Sequence, residues 1–141
     1  MKTLGWGPIR HFKPDEFQDP DRMCATLVRQ LDDMRERAGR QVRIHCSFEL
    51  RDTDFSWHSY HRAVDCHIEG LHWFDQLLMA CWFPFTGVGA YPWWNNPGLH
   101  LDSRPIQAAA RWLSPAKGVY LPLNWASLAG YLKDPEAWKR T

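Results

Sequence analysis

At 141 residues, with 45% apolar content and a formal charge of +1, the chain holds enough for one domain with a sizeable core and too little for a second. The scattered basic residues exclude a nucleic-acid stripe or a polybasic membrane anchor, and no stretch approaches the ~20 apolar residues of a membrane span. Four cysteines in apolar contexts, without Cys-x-x-Cys spacing, exclude a disulfide framework and leave one bridge, Cys46 to Cys66, open. The N-terminus lacks the apolar run of a signal peptide, so the expectation is a soluble protein, cytoplasmic as synthesised, with a monomer favoured and no membrane partner.

In chain order, His11 to Phe17 reads as an ordered loop anchored by two Phe. Asp19-Pro20 then reads as the cap and first residue of a helix that stops at Gly39. Met23, Leu27, Leu31, Met34 and Ala38 form its buried stripe, and Arg29, Asp32, Asp33, Glu36 and Arg37 its solvated face. Gln41 to Cys46 alternates as a strand with Val42, Ile44 and Cys46 on one face and Arg43 and His45 on the other. Arg62 to Ile68 reads as the next strand, with Ala63, Asp65 and His67 sharing a face.

Leu71 to Phe83 is predicted as a second helix ended by Pro84, and Thr86 to Tyr91 as a strand. Pro92 to Gly98 is a turn-rich loop that can rim a groove. His100 and Asp102 lie on a final strand and point the same way. Ile106 to Leu113 reads as a short helix, and the remainder as a surface wrap with helical turns at Asn124 to Leu132 and Pro135 to Arg140. Of nine Trp, Trp73, Trp82 and Trp112 are expected in the core; Trp57, Trp93 and Trp94 fit core and groove equally.

Chemistry concentrates in Ser56-Trp57-His58-Ser59-Tyr60-His61-Arg62-Ala63-Val64-Asp65 and in Leu99-His100-Leu101-Asp102. His58, Asp65 and His100 make a set of nitrogen and oxygen donors suited to zinc, with room for a water. An aspartate inside an apolar strand is expensive to bury without a partner, which gives Asp65 a reason to meet a metal. Asp102 can orient His100 or take a proton from bound water.

Ser-x-His, four residues, Ala-x-Asp, then Gly87-Val88-Gly89-Ala90-Tyr91-Pro92 and His-x-Asp resemble the zinc D-alanyl-D-alanine peptidase family. That family includes phage endolysins that cut L-alanyl-D-glutamate bonds and the Hedgehog signalling domain. The resemblance runs roughly from His11 to Trp112. It implies an α+β domain with a small, mostly antiparallel sheet and packing helices, and zinc on His58, Asp65 and His100. The implied substrate is the peptide of peptidoglycan, reached only after release or export. One domain over residues 1–141 is expected, with a core of about 11–112 and an extension of 113–141.

The chain departs from the family pattern at three places. His61 stands where the family has Gly, and is either a further ligand, an acid and base, or a loop residue. Ser47-Phe48-Glu49-Leu50-Arg51 replaces Ser-Gly-Tyr-Arg, so Arg51 either holds substrate or is a surface residue. The usual general-base positions are Pro97 and Gly98, which leaves Asp102 and His61 as substitutes. The expected activity is zinc-dependent peptide hydrolysis, with Ser56, Trp57, Trp93 and Trp94 against the substrate. The alternative is a catalytically weak or inactive metal-binding module of a phage or wall-associated protein.

Overall fold

The computed structural model describes residues 5–49 and 56–140. Arg51 lies outside the described residues.

Apolar residues at helical spacing put Leu27, Val28, Leu31 and Met34 on one side of α1 (Ala25–Ala38), where all four are fully buried. The helix begins later than the Asp19-Pro20 signal suggests. Pro20–Arg22 forms a separate 3-10 turn, and Met23 and Cys24 are extended before α1 starts. Asp32 departs from its expected place on the solvated face: it is 2% exposed, because the loop at residues 10–12 folds over it.

The strands are β1 (Val42–Cys46), β2 (Ala63–Ile68), β3 (Gly87–Tyr91), β4 (Gly98–Asp102), β5 (Ala110–Ala116) and β6 (Val119–Pro122). They form one six-stranded sheet in the order β1-β2-β4-β3-β5-β6. Every pair is antiparallel except β3 with β5, so the architecture is α+β with a mostly antiparallel sheet. The other helices are α2 (Trp73–Ala80) and α3 (Trp125–Lys133).

Alternation gives the central strands two faces of different chemistry. Val64, Cys66, Ile68, Leu99, Leu101, Val88 and Ala90 join the core with α1 and α2. The opposite face of the same strands carries Ala63, Asp65, His67, His100, Asp102, Gly87 and Gly89, brought together by the pairs Asp65 with His100, Ala63 with Asp102, and Gly89 with His100.

Two expectations fail, the helix over Ile106 to Leu113 and a core place for Trp82. The predicted helix from Ile106 to Leu113 is a 3-10 turn at Ile106–Ala108 followed by β5, which pairs with β3 over Ala110 to Leu113. Backbone pairing with an unfilled sheet edge overrides the helix-forming alanines. Trp112 lies within β5. Trp82 is 73% exposed, beyond the end of α2, with Arg37 over its ring.

Candidate metal centre

His58 sits on a 3-10 turn, Trp57–Tyr60, whose start is capped by Ser56 Oγ accepting from His58 N at 3.2 Å. This turn lays the imidazole against β2 and β4. His58 Nε2 is 3.3 Å from Asp65 Oδ1, and His100 Nδ1 is 3.2 Å from the same oxygen. The two rings meet edge to face at 5.1 Å.

The structure adds Cys46, which sequence alternation assigns to the core face of β1. A bulge between Ile44 and Cys46 pairs Ile44 with Cys66 but Cys46 with Asp65, so that Cys46 joins His45 on the polar face. Cys46 Sγ lies 3.8 Å from His58 Nδ1. Cys46, His58 and Asp65 each offer a donor within 4.8 Å of the others, and this group could hold a metal ion. His100 joins through Asp65, so two donor sets share His58 and Asp65: one is completed by Cys46, the other by His100. Only the second lines the open cavity.

Behind His100 stands a relay that the sequence reading sees only in part. His100 Nε2 donates to Asp102 Oδ2 at 2.7 Å, and Asp102 is wholly buried. Arg104 grips the carboxylate from the other side, with Nε and Nη2 at 3.0 and 2.6 Å from Oδ2 and its backbone N at 3.1 Å from Oδ1. Gly87 makes room for this group, since a Cβ there would stand 2.1 Å from both Asp102 oxygens. Asp102 therefore orients His100, and its engaged oxygens do not face the cavity. Arg104 is a site residue that the sequence reading missed; its spacing of two from Asp102 is a signal only once the strand is known to end at that aspartate.

The electrostatics favour a cation among these groups. With Nε2–H committed to Asp102, the 3.2 Å contact between His100 Nδ1 and Asp65 Oδ1 takes positive charge either as a second proton on the ring or as a metal ion between the two atoms. Burial opposes charge on His58, but its bonds to Asp65 and Cys46 outweigh this and push it up to about 9. Burial opposes charge on His100 as well, and Asp102 and Asp65 reverse the effect. Burial raises Asp65, yet the two imidazoles hold it far below the usual carboxylate range. The same contest leaves Asp102, held by His100 and Arg104, at about 2.

The donor types suit zinc, and two edges of the His58, Asp65 and His100 set have the spacing of a tetrahedral site, while the donors that all lie within 4.8 Å of one another are those of Cys46, His58 and Asp65. Ligands on a tetrahedral ion with bonds of ~2.0–2.1 Å lie about 3.3 Å apart. The separations of 3.3 and 3.2 Å around Asp65 Oδ1 match that value.

A cavity of about 410 Å³ opens over these groups, lined by Ser56, Trp57, His58, Asp65, Tyr91, Trp93, Trp94, His100, Arg104, Trp112, Lys117, Gly118 and Tyr120. Ser56, Trp57, Trp93 and Trp94 are thus all at the cavity, as is Trp112, which was expected in the core. Trp112 reaches it because Gly89 lets the indole lie on β3: a Cβ there would stand 2.4 Å from the ring. His61 does not line the cavity. Its Nε2 is 2.7 Å from Asp19 Oδ2 and its ring stacks on Phe48 at 4.2 Å. His67 likewise stacks on His45 at 4.7 Å, away from His58.

No helix among the described residues is long and apolar enough to cross a membrane. Compared with known proteins, the chain matches no family model, no curated protein and no solved structure.

Proposed function

We propose that the chain is a zinc-dependent peptidase acting on the peptide of peptidoglycan, with a fold akin to the D-alanyl-D-alanine peptidases whose motifs it resembles. The observation that carries this reading is the convergence of His58 Nε2 and His100 Nδ1 on Asp65 Oδ1 at tetrahedral-edge spacing, at the mouth of an aromatic cavity. His58, Asp65 and His100 would hold the ion. When bound, zinc supplies a Lewis acid that polarises a carbonyl and lowers the pKa of water toward ~7. Asp102 and Arg104 fix the ring of His100 so that Nδ1 faces inward. Trp57, Trp93, Trp94 and Trp112 supply flat walls that grip a ligand and exclude water.

One observation favours the alternative, a metal-binding module with little or no catalysis. Position 98 has no room for a side chain, since a Cβ there would stand 2.2 Å from the Cys66 carbonyl oxygen. Asp102 is buried and His61 points to Asp19, so neither substitute offers a base to the cavity. The deciding experiment combines metal analysis with digestion of purified peptidoglycan, read by mass spectrometry. Released peptide fragments that vanish in His58→Ala support the peptidase. About one zinc per chain with intact peptidoglycan supports the module, and absence of metal overturns both.

A further inference from the structure

The peptidase reading requires a group that meets the substrate carbonyl oxygen as it gains negative charge. Tyr91 is held as such a group. It lies on the polar face of β3, two residues beyond Gly89, which pairs with His100. Trp112 Nε1 donates to the Tyr91 hydroxyl oxygen at 2.9 Å. An indole nitrogen is a donor only, so the phenolic hydrogen remains available, and no acceptor among the described residues takes it. The ring is clamped by stacking on Trp94 at 4.2 Å and 15° and by the edge of Trp93 at 6.5 Å. Gly89 in turn admits the Trp112 ring that directs the hydroxyl. Burial pushes the phenol up to about 12, so the hydroxyl keeps its proton at neutral pH.

Resting on that reading, we propose that Tyr91 is a catalytic residue whose O–H donates a hydrogen bond to the scissile carbonyl oxygen and to the oxyanion that replaces it. As the water oxygen bonds to the carbonyl carbon, the π pair moves onto the carbonyl oxygen and is met by this O–H. The proton that the water gives up passes to the leaving nitrogen, the pair returns as the C–N bond breaks and the amine departs neutral, and Tyr91 keeps its own proton throughout. Such a donor acts most strongly on the anionic, tetrahedral form. Trp112 is the positioning residue that points the O–H away from itself.

The test is Tyr91→Phe, which keeps the stacked ring and removes the donor. Zinc-loaded wild type and variant are titrated calorimetrically with a phosphinate dipeptide, whose tetrahedral anionic centre resembles the reacting carbon, and with the plain dipeptide. The variant should retain zinc, bind the phosphinate about tenfold or more weakly, and bind the plain dipeptide within about twofold. Turnover should fall about 10²-fold or more, chiefly in kcat. Trp112→Phe should shift phosphinate binding the same way by less. Equal phosphinate affinity in wild type and Tyr91→Phe, or zinc loss in that variant, overturns the assignment and leaves the peptidase reading standing if wild type still cuts. A zinc-loaded wild type that neither cuts peptide nor binds the phosphinate overturns both.

Discussion

Asp32 and Asp102 are both buried carboxylates, 2% and 0% exposed, but they are satisfied by different kinds of partner. Asp32, on α1, accepts from the backbone N–H groups of Arg10, His11 and Phe12 at 2.9, 2.9 and 3.4 Å, with Arg10 Nε at 3.3 Å. It pins a loop to a helix. Asp102 accepts from His100 and Arg104, whose side chains reach into the cavity. The first pairing spends a charge on holding the fold and the second on aiming a ring. Breaking Asp32 should therefore cost stability and spare metal, while breaking the relay should cost metal before stability.

The largest expected effect lies at the group that the relay aims toward. Zinc at 100 times its Kd stabilises a one-site protein by about 2.7 kcal/mol. Wild type should show a shift of that order in thermal melts and lose it to a chelator, and Asp65→Ala should show none. An undiminished zinc shift in Asp65→Ala would remove this oxygen from the donor set. Next comes Asp102→Asn. With the carboxylate gone, Arg104 loses its counter-charge and His100 loses the acceptor that fixes its tautomer. Zinc affinity should fall about 10- to 100-fold, read by competition with a chromophoric chelator. An unchanged affinity would reduce the relay to packing.

Asp32→Asn sharpens the comparison from the other side. An amide offers one acceptor oxygen where the carboxylate offered two, so the variant should lose about 2 kcal/mol in urea melts and bind zinc as wild type does. Burial raises Asp32, but the backbone donors of the 10–12 loop, with Arg10, bring it below its ordinary 3.8. A carboxyl lowered in the folded state stabilises above its unfolded pKa and loses that stabilisation as pH falls through the folded value. The gap between wild type and Asp32→Asn should therefore be level above about pH 5 and close below 3.8. A gap that widens on acidification would reverse the assignment.

These two carboxylates also mark what the sequence discloses. Period-two alternation put Asp65 and His67 on one face and left the apolar residues of β2 for the other, and the structure agrees because pleating is a local property. Helical periodicity put Asp32 on the open side of α1; a helix wheel reports orientation relative to the main core and is blind to a loop laid across the far side. Cys46 reached the polar face through a bulge, which no pattern in Val42 to Cys46 signals. The helix expected over Ile106 to Leu113 follows the local preference of Ala108, Ala109 and Ala110, but the first two lie in and cap a 3-10 turn, and the free edge of β3 makes a strand from Ala110 on. The same gap places Trp112 in the core rather than at the cavity and leaves Arg104 unnamed, since both positions depend on how the chain leaves β4 and returns.

The smallest expected effect is at His61, where the backbone rather than the imidazole carries the meaning. The residue closes the turn that presents His58 and has φ of 59°, a left-handed conformation uncommon outside Gly, though His, with Asn and Asp, adopts it more often than other L residues. A Gly there, as in the family that the motifs resemble, meets the same requirement without strain. Replacing His61 by Gly releases a strain of about 1 kcal/mol and forfeits a partly exposed hydrogen bond to Asp19 of similar size, along with the stack on Phe48. Stability should then move by less than about 1 kcal/mol in either direction, and zinc affinity by less than about twofold. Because the ring faces Asp19, the metal readout is the sensitive one: a tenfold loss of zinc in His61→Gly would mean that this ring swings from Asp19 to the ion, and that the separation between structural and site carboxylates drawn from Asp32 and Asp102 does not extend to their histidines.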